Sequence, residues 1–272
     1  MPLNIPGIFA PFHALVRPRL VIPSLAVKDI RQIDFAALHK HGYRGVVFDK
    51  DNCLTLPHHD TIVPAIEDAW YECREAFGQG NVIIVSNTAG TWVDPGGIQS
   101  ESVSYHLGVP VLQHKRFKPS YSCISDIRSY FSSLRSPVRD EELVVVGDRI
   151  FTDIVTANRM RYWKPKPNGS IFGIAASCAF EKGGAIETEK EVASEIAKLT
   201  KGPRGPLSIW TTGVWEKEAL LMRCAEKLIV KAVQRQLKQD GFGDTSKFLK
   251  PIPALPKKPN IIDRFLDKVY IV

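Results

Sequence analysis

Asp49 and Asp51 stand two residues apart at the end of the apolar run Val46-Val47-Phe48. A buried strand that stops there delivers its last side chains to the carboxyl edge of a parallel sheet, where open α/β folds hold their ligands. Two carboxylates so placed can divide a phosphoryl transfer between them. Asp49 would attack phosphorus as the nucleophile, and Asp51 would act as acid toward the leaving group and base toward water. Alone, an Asp-x-Asp is common in solvated turns, so its meaning depends on the company it keeps along the chain.

Three further elements come after it in order. Asn81-Val82-Ile83-Ile84-Val85 is a second β-branched run ending in Ser86-Asn87-Thr88, whose hydroxyl and amide groups suit phosphate oxygens. Lys118-Pro119 lies in the basic segment His114-Lys115-Arg116-Phe117-Lys118, just before a helical pattern from Ser120 to about Leu134. Leu143-Val144-Val145-Val146 is a third buried strand and ends in Gly147-Asp148-Arg149-Ile150-Phe151-Thr152-Asp153. Each strand or helix boundary thus carries a polar group that a phosphate and a divalent metal need.

Rival phosphate chemistries fail on spacing. A cysteine-dependent phosphatase requires arginine six positions after its thiolate, but those positions after Cys53, Cys73, Cys123, Cys178 and Cys224 are His59, Gln79, Ser129, Gly184 and Val230. No Gly-x-x-x-x-Gly-Lys-Ser/Thr is present, so a P-loop is not supported. Cys53 reads as a small buried neighbour of the site rather than a nucleophile.

Taken in order, Asp49-Lys50-Asp51, Ser86-Asn87, Lys118 and Gly147-Asp148 through Asp153 resemble the four motifs of the haloacid dehalogenase (HAD) superfamily of phosphatases. The resemblance implies a three-layer α/β/α Rossmann-like sandwich around a parallel sheet. It implies an aspartyl-phosphate on Asp49, phosphoryl contacts from Ser86 and Lys118, and Mg2+ held by Asp49, Asp148 and the backbone carbonyl of Asp51. Asp153 is left between three roles: metal ligand, support to a metal ligand, or cap of the helix it opens. The chemistry is coherent, because a dianionic phosphate monoester repels an incoming carboxylate unless a cation offsets the charge. Aspartate at position 51 favours a phosphatase, since related phosphoryl-transfer ATPases carry threonine there.

The same segments, with Asn52-Cys53-Leu54, Thr88-Ala89-Gly90 and the late run Thr211-Thr212-Gly213-Val214-Trp215-Glu216-Lys217-Glu218, are similar to the fungal mitochondrial phosphatidylglycerophosphatases. That resemblance covers about residues 3–163 and 207–240. It implies hydrolysis of phosphatidylglycerophosphate to phosphatidylglycerol for cardiolipin synthesis, by a peripheral protein on the matrix side of the mitochondrial inner membrane. Asn87, Lys115, Arg116 and Arg149 are then candidates for contacting substrate, the last three at its bridging phosphate. As surface charges the same cations need do no more than solvate. His58 and His59 lie in the loop after the first motif.

The elements that must position these residues frame the rest. At 272 residues and 44% hydrophobic content the chain can bury a full α/β core. Its five cysteines are scattered and carry no metal-type pairing, which fits a reducing compartment. A net charge of +7 favours an anionic substrate or an anionic membrane surface, and with no basic run interleaved by aromatics nucleic acid is the least favoured partner. The core is expected over 29–163 and 207–240. Residues 1–28, apolar, basic and proline-broken, read either as a membrane-interface arm or as an arm packed on the domain. Residues 164–206 read as an insertion, and 241–272 as a Pro/Lys linker with an apolar tail.

Between the motifs only short segments are available, so no cap domain is expected. An open site suits a bulky or surface-bound substrate, or a second subunit acting as lid in a homo-oligomer. The helical pattern 216–238 places Leu221, Ala225, Leu228, Ile229, Ala232 and Leu237 on one face and Arg223, Lys227, Lys231, Arg235 and Lys238 on the other. Two alternatives stand beside the lipid reading: a HAD phosphatase for a soluble phosphometabolite or phosphoprotein, and a non-catalytic membrane scaffold.

Overall fold

The computed structural model describes residues 17–163, 205–213, 215–216, 220–236 and 245–250. Residues 1–16 of the expected arm, most of the expected insertion at 164–204, and 237–244 and 251–272 toward the C-terminus lie outside them. The elements are β1 (Leu25–Val27), α1 (Phe35–Lys40), β2 (Gly45–Phe48), α2 (Glu67–Phe77), β3 (Val82–Ile84), α3 (Ile98–Leu107), α4 (Tyr121–Ser133), β4 (Leu143–Gly147), α5 (Val155–Tyr162), β5 (Leu207–Thr211) and α6 (Leu220–Gln236).

The five strands form one sheet in the order β1-β5-β4-β2-β3, every pair parallel. Every residue of β2, β4 and β5 is buried. Continuous rather than alternating burial is what a sheet covered on both faces requires. On one face Val46, Phe48, Ile84, Val146 and Ile209 meet Phe35, Trp70, Phe77 and Leu107 from α1, α2 and α3. On the other, Val47, Ile83 and Val145 meet Ile124, Ile127 and Phe131 of α4 and Met160 of α5. Val230 and Val233 of α6 close that face against Trp210 and Ile154. This is the three-layer α/β/α architecture that the resemblance implies. Residues 52–63 between β2 and α2 form only turns and single bridges, with no room for a cap.

One open reading narrows for residues 17–28, and two local expectations change. Residues 17–28, within the segment read either as a membrane-interface arm or as an arm packed on the domain, pack on the core: Val21 is wholly buried and β1 pairs with β5, tied by Ser24 Oγ and Ser208 Oγ at 3.0 Å. A three-residue edge strand just after Pro23 is too short to show a period. The strand expected at Val109–Leu112 reduces to a single parallel bridge between Ile84 and Val111. The other change is the rotation of α6, where Arg223, Glu226, Val230 and Val233 are buried while Leu228 is 68% exposed. The expected apolar stripe, which included Leu228 and left Arg223 in solvent, is displaced because a buried carboxylate at the sheet edge draws Arg223 inward.

Candidate active site

The chain leaves β2 for β3 on one side and returns to β4 on the other, so the crevice between β2 and β4 is the switch point of the sheet. Asp49 comes directly after β2 and Asp148 directly after β4. The backbone N–H of Asp49 still donates to the Val146 carbonyl at 2.9 Å, which anchors the side chain at the last rung of the ladder. Ser86 arrives from β3, and Lys118 from the segment that leads into α4.

Asp49, Asp148 and Asp153 are all buried, and each offers one carboxylate oxygen within 4.8 Å of the others. Asp153 reaches the cluster only because position 147 is glycine: a Cβ there would lie 2.3 Å from the Asp153 carboxyl carbon. Three acids in so little space need positive charge. Lys118, 3% exposed, donates to Asp49 Oδ1 and to Asp153 Oδ1, each at 2.7 Å. Arg223 Nη2 donates to Asp148 Oδ2 at 2.5 Å, and Arg149 Nε lies 3.8 Å from the same oxygen.

Burial, with Lys118 opposing and the other acids adding, holds the Asp49 carboxyl well above the usual range. Burial and Asp153 likewise raise Asp148 against the pull of Arg223. Burial alone would lower Lys118, but the Asp153 and Asp49 carboxylates outweigh it and push its pKa up. An all-oxygen set held this close fits a hard divalent cation, which would relieve the repulsion that raises the acids.

Asp51 is held apart from this cluster by three donors. Its Oδ1 accepts from Lys50 Nζ at 2.7 Å and from the His58 backbone N–H at 2.9 Å, and its Oδ2 accepts from Thr88 Oγ1 at 2.7 Å. Lys50 is wholly buried and also donates to the His59 carbonyl at 2.9 Å, so the residue between the two acids fastens the loop that carries the second. His58 contributes its backbone here, in a left-handed conformation with φ of 63°.

Ser86 is buried beside Thr88, their hydroxyl oxygens 2.8 Å apart, and its Oγ accepts from the Thr88 N–H at 3.1 Å. Asn87 grips the backbone of Lys118 from both sides: its Oδ1 accepts from Lys118 N at 2.8 Å and its Nδ2 donates to Lys118 O at 3.4 Å. That use of the amide positions the lysine. His114 is lodged between two carbonyls, those of Ser86 at 2.9 Å and Arg116 at 2.8 Å, and burial lowers its pKa. Lys115 and Arg116 are exposed, while Arg149 borders Asp148. Asp153 also accepts the Arg149 backbone N–H at 3.1 Å, so it both caps the turn before α5 and joins the acid cluster.

Lys50, Arg223 and Glu226 complete the surroundings, and sequence reasoning did not single them out for the site. Glu226 Oε1 accepts from Phe151 N at 3.4 Å, and burial pushes its carboxyl up to about 7. The signal for Arg223 and Glu226 was their spacing with Val230 and Val233 on one helix face, masked by the stronger apolar stripe. Cys53 is 1% exposed, and burial with the nearby carboxylates raises its thiol well above the ordinary value. A thiol so held is not a nucleophile. Cys53→Ser is therefore expected to keep phosphatase turnover within about threefold of wild type, measured on any accepted phosphomonoester.

Comparison with known proteins bears on this geometry. The family model described as mitochondrial PGP phosphatase matches residues 5–165. The chain is 37% identical over 159 residues to phosphatidylglycerophosphate phosphatase 1, chloroplastic/mitochondrial, of Arabidopsis thaliana, covering 58% of this chain and 44% of that one. It is 40% identical over 141 residues to phosphatidylglycerophosphate phosphatase 1, chloroplastic, of Chlamydomonas reinhardtii, covering 52% and 50%. With phosphatidylglycerophosphatase GEP4, mitochondrial, of Saccharomyces cerevisiae it shares 37% identity over 158 residues, 58% of this chain and 83% of that one. The chain spans about half the length of the plant and algal relatives it matches. No solved structure matches it. The match runs through Asp49, Asp51, Ser86, Lys118, Asp148 and Asp153, and with the site built from those positions the chain belongs to the mitochondrial PGP phosphatase family.

Proposed function

We propose that the chain hydrolyses the terminal phosphate of phosphatidylglycerophosphate, giving phosphatidylglycerol and phosphate. The observation that carries this is the family match across residues 5–165, which includes every site motif. In the first step a carboxylate oxygen of Asp49 bonds to phosphorus as the bond from phosphorus to the glycerol oxygen breaks, and Asp51 delivers a proton to that oxygen. In the second, Asp51 takes a proton from water as the water oxygen bonds to phosphorus, releasing phosphate and restoring Asp49. Lys118 balances charge on the transferring group, and Ser86 contacts its oxygens. Lys50 and Thr88 hold Asp51 in place for both proton transfers.

Asp49, Asp148 and Asp153 would hold Mg2+, with the Asp51 carbonyl as a further ligand. The ion would supply the positive charge that lets a carboxylate approach a phosphate dianion. Arg149, with Lys115 and Arg116 further out, gives the approach a cationic border suited to the bridging phosphate. The related proteins named mitochondrial support placing the chain in that organelle. The peripheral seat on the matrix side of the inner membrane is part of the proposal and rests on the lipid substrate. Among the described residues no helix is long and apolar enough to cross a membrane.

The deciding experiment compares turnover of phosphatidylglycerophosphate in mixed micelles with that of a panel of soluble phosphomonoesters. The expected preference for the lipid is roughly a hundredfold or more in kcat/KM, with chelation of divalent ions removing activity on both. A preference for soluble esters by a similar factor would reject the lipid assignment, and activity surviving chelation would reject the metal.

A further inference from the structure

We infer that the loop joining β3 to α3 and the start of that helix, with Trp92 and Ile98 at the exposed edge, form a docking edge that seats the mouth of the site on an anionic phospholipid bilayer. The inference rests on the lipid-phosphate reading above and names the surface through which that substrate is met.

The loop starts at Ser86-Asn87-Thr88 and therefore lies at the carboxyl edge of the sheet, on the rim of the site. Trp92 is 63% exposed and Ile98 is 74% exposed. Pro95 and Gly96 between them are exposed too. Exposed apolar side chains scattered singly need no explanation, but these two are displayed by a built scaffold. Asp94, itself buried, accepts backbone N–H groups from Gly90 at 3.0 Å, Gln99 at 2.9 Å and Ser100 at 2.8 Å. Burial would raise its carboxyl, and the three donors outweigh that and hold it below the usual range. The loop is thus tied at both ends to one buried carboxylate while its apolar side chains face outward.

The edge also lies alongside the basic segment. The Trp92 ring lies 5.7 Å from that of Phe117 at an interplanar angle of 32°, and Phe117 immediately precedes Lys118, whose amine holds Asp49. His114 N donates to the Gly90 carbonyl at 2.8 Å, so the basic segment 114–118 lies directly along the loop. Its Lys115 and Arg116 are both exposed.

An exposed indole and an exposed isoleucine on one tethered segment, with two exposed cations on the segment that runs along it, suit the headgroup region, where tryptophan prefers to sit and each surface cation gains from anionic lipid. Charge argues against a second copy as occupant. A twofold contact would set the Lys115 and Arg116 pairs of two copies near each other, whereas anionic headgroups neutralise them.

The test uses the full chain carrying Trp92→Ser and Ile98→Ser together, polar changes at exposed positions that leave the site motifs untouched. Flotation with phosphatidylcholine vesicles containing cardiolipin should show affinity reduced roughly tenfold or more. Turnover of phosphatidylglycerophosphate embedded in those vesicles should fall by a similar factor. Hydrolysis of p-nitrophenyl phosphate should stay within about twofold of wild type.

Unchanged flotation in the double variant would overturn the proposal. So would loss of flotation accompanied by dissociation of a wild-type oligomer on size exclusion, which would make the edge a contact between copies. If wild type instead floats and loses flotation in the variant, yet hydrolyses only soluble esters even when the lipid is dispersed in detergent, the docking edge stands and the substrate assignment alone fails.

Discussion

Asp49→Asn is expected to abolish hydrolysis, by roughly ten-thousand-fold or more in kcat, while leaving the fold intact. The loss comes from chemistry alone, because a carboxamide oxygen is too poor a nucleophile to bond to phosphorus in place of a carboxylate. The fold should persist for an electrostatic reason. Asp49 is one of three crowded, buried acids, and burial already raises its carboxyl against ionisation. Asparagine removes a charge that the site struggles to hold, and Lys118 keeps its bond to Asp153. Thermal or urea midpoints should therefore match wild type or exceed it.

Rapid quenching with labelled substrate should find phosphate on Asp49 in the wild type and on no residue in the variant. Asp51→Asn makes the matching contrast. It leaves the nucleophile in place but removes both the acid of the first step and the base of the second, so turnover should collapse while any label that forms still sits on Asp49 and is released slowly. Label on any other side chain, or an Asp49→Asn enzyme of normal rate, would refute the assignment of the nucleophile.

Of the positions assigned to this chemistry, Asp49, Ser86 and Asp148 were legible because each closes an apolar run. β2, β3 and β4 are buried on both faces, so their sequences are nearly unbroken Val, Ile, Leu and Phe. The first polar residues after them, Asp49, Ser86 and Asp148, then stand out. Lys118 was legible only through its order among the other motifs, since a lysine in a basic segment is by itself an ordinary surface charge. Its burial arises because Asn87 holds its backbone and two carboxylates hold its amine, contacts 31 and 35 residues or more away in sequence.

What the sequence hid has the same cause in reverse. Lys50 lies between two acids that absorb attention, and nothing local indicates that its amine turns inward to Asp51 and the His59 carbonyl. Arg223 was assigned to solvent because Leu228, Ile229 and Ala232 outline a more apolar stripe than the face finally used. Helix periodicity records hydrophobicity and is blind to a carboxylate waiting at the sheet edge. Once Asp148 is placed there, the helix gains more from pairing Arg223 and burying Val230 and Val233 than from covering Leu228. β1 escaped notice for a plainer reason, because Leu25-Ala26-Val27 is too short and too uniformly apolar for its sequence to show a period.

Lys118→Met should damage the protein on two counts that can be measured separately. Activity should fall roughly a thousandfold, since the variant loses the fixed cation that balances charge on the transferring phosphoryl group. Stability should fall by about 3–5 kcal/mol, the usual consequence of taking one partner from a buried ion pair and leaving the other charge behind. Here two carboxylates are left, Asp49 and Asp153, with Asp148 beside them.

The pH dependence of that loss carries a definite sign. In the wild type the raised pKa of Lys118 keeps its contribution present throughout the neutral range, to be lost only as alkaline pH passes through the folded-state value. In the variant the dominant group becomes Asp49, whose folded-state pKa already lies above its unfolded value and loses the opposing influence of the lysine. A raised carboxyl binds its proton more tightly folded than unfolded, so stability declines as pH rises through the window between the two values. The deficit of Lys118→Met should therefore be largest near neutrality and shrink on moderate acidification, and added Mg2+ should recover part of it at neutral pH. Urea titrations across that range, with and without the ion, would read both effects. A deficit that grew toward acid pH would place the unbalanced charge somewhere other than these carboxylates.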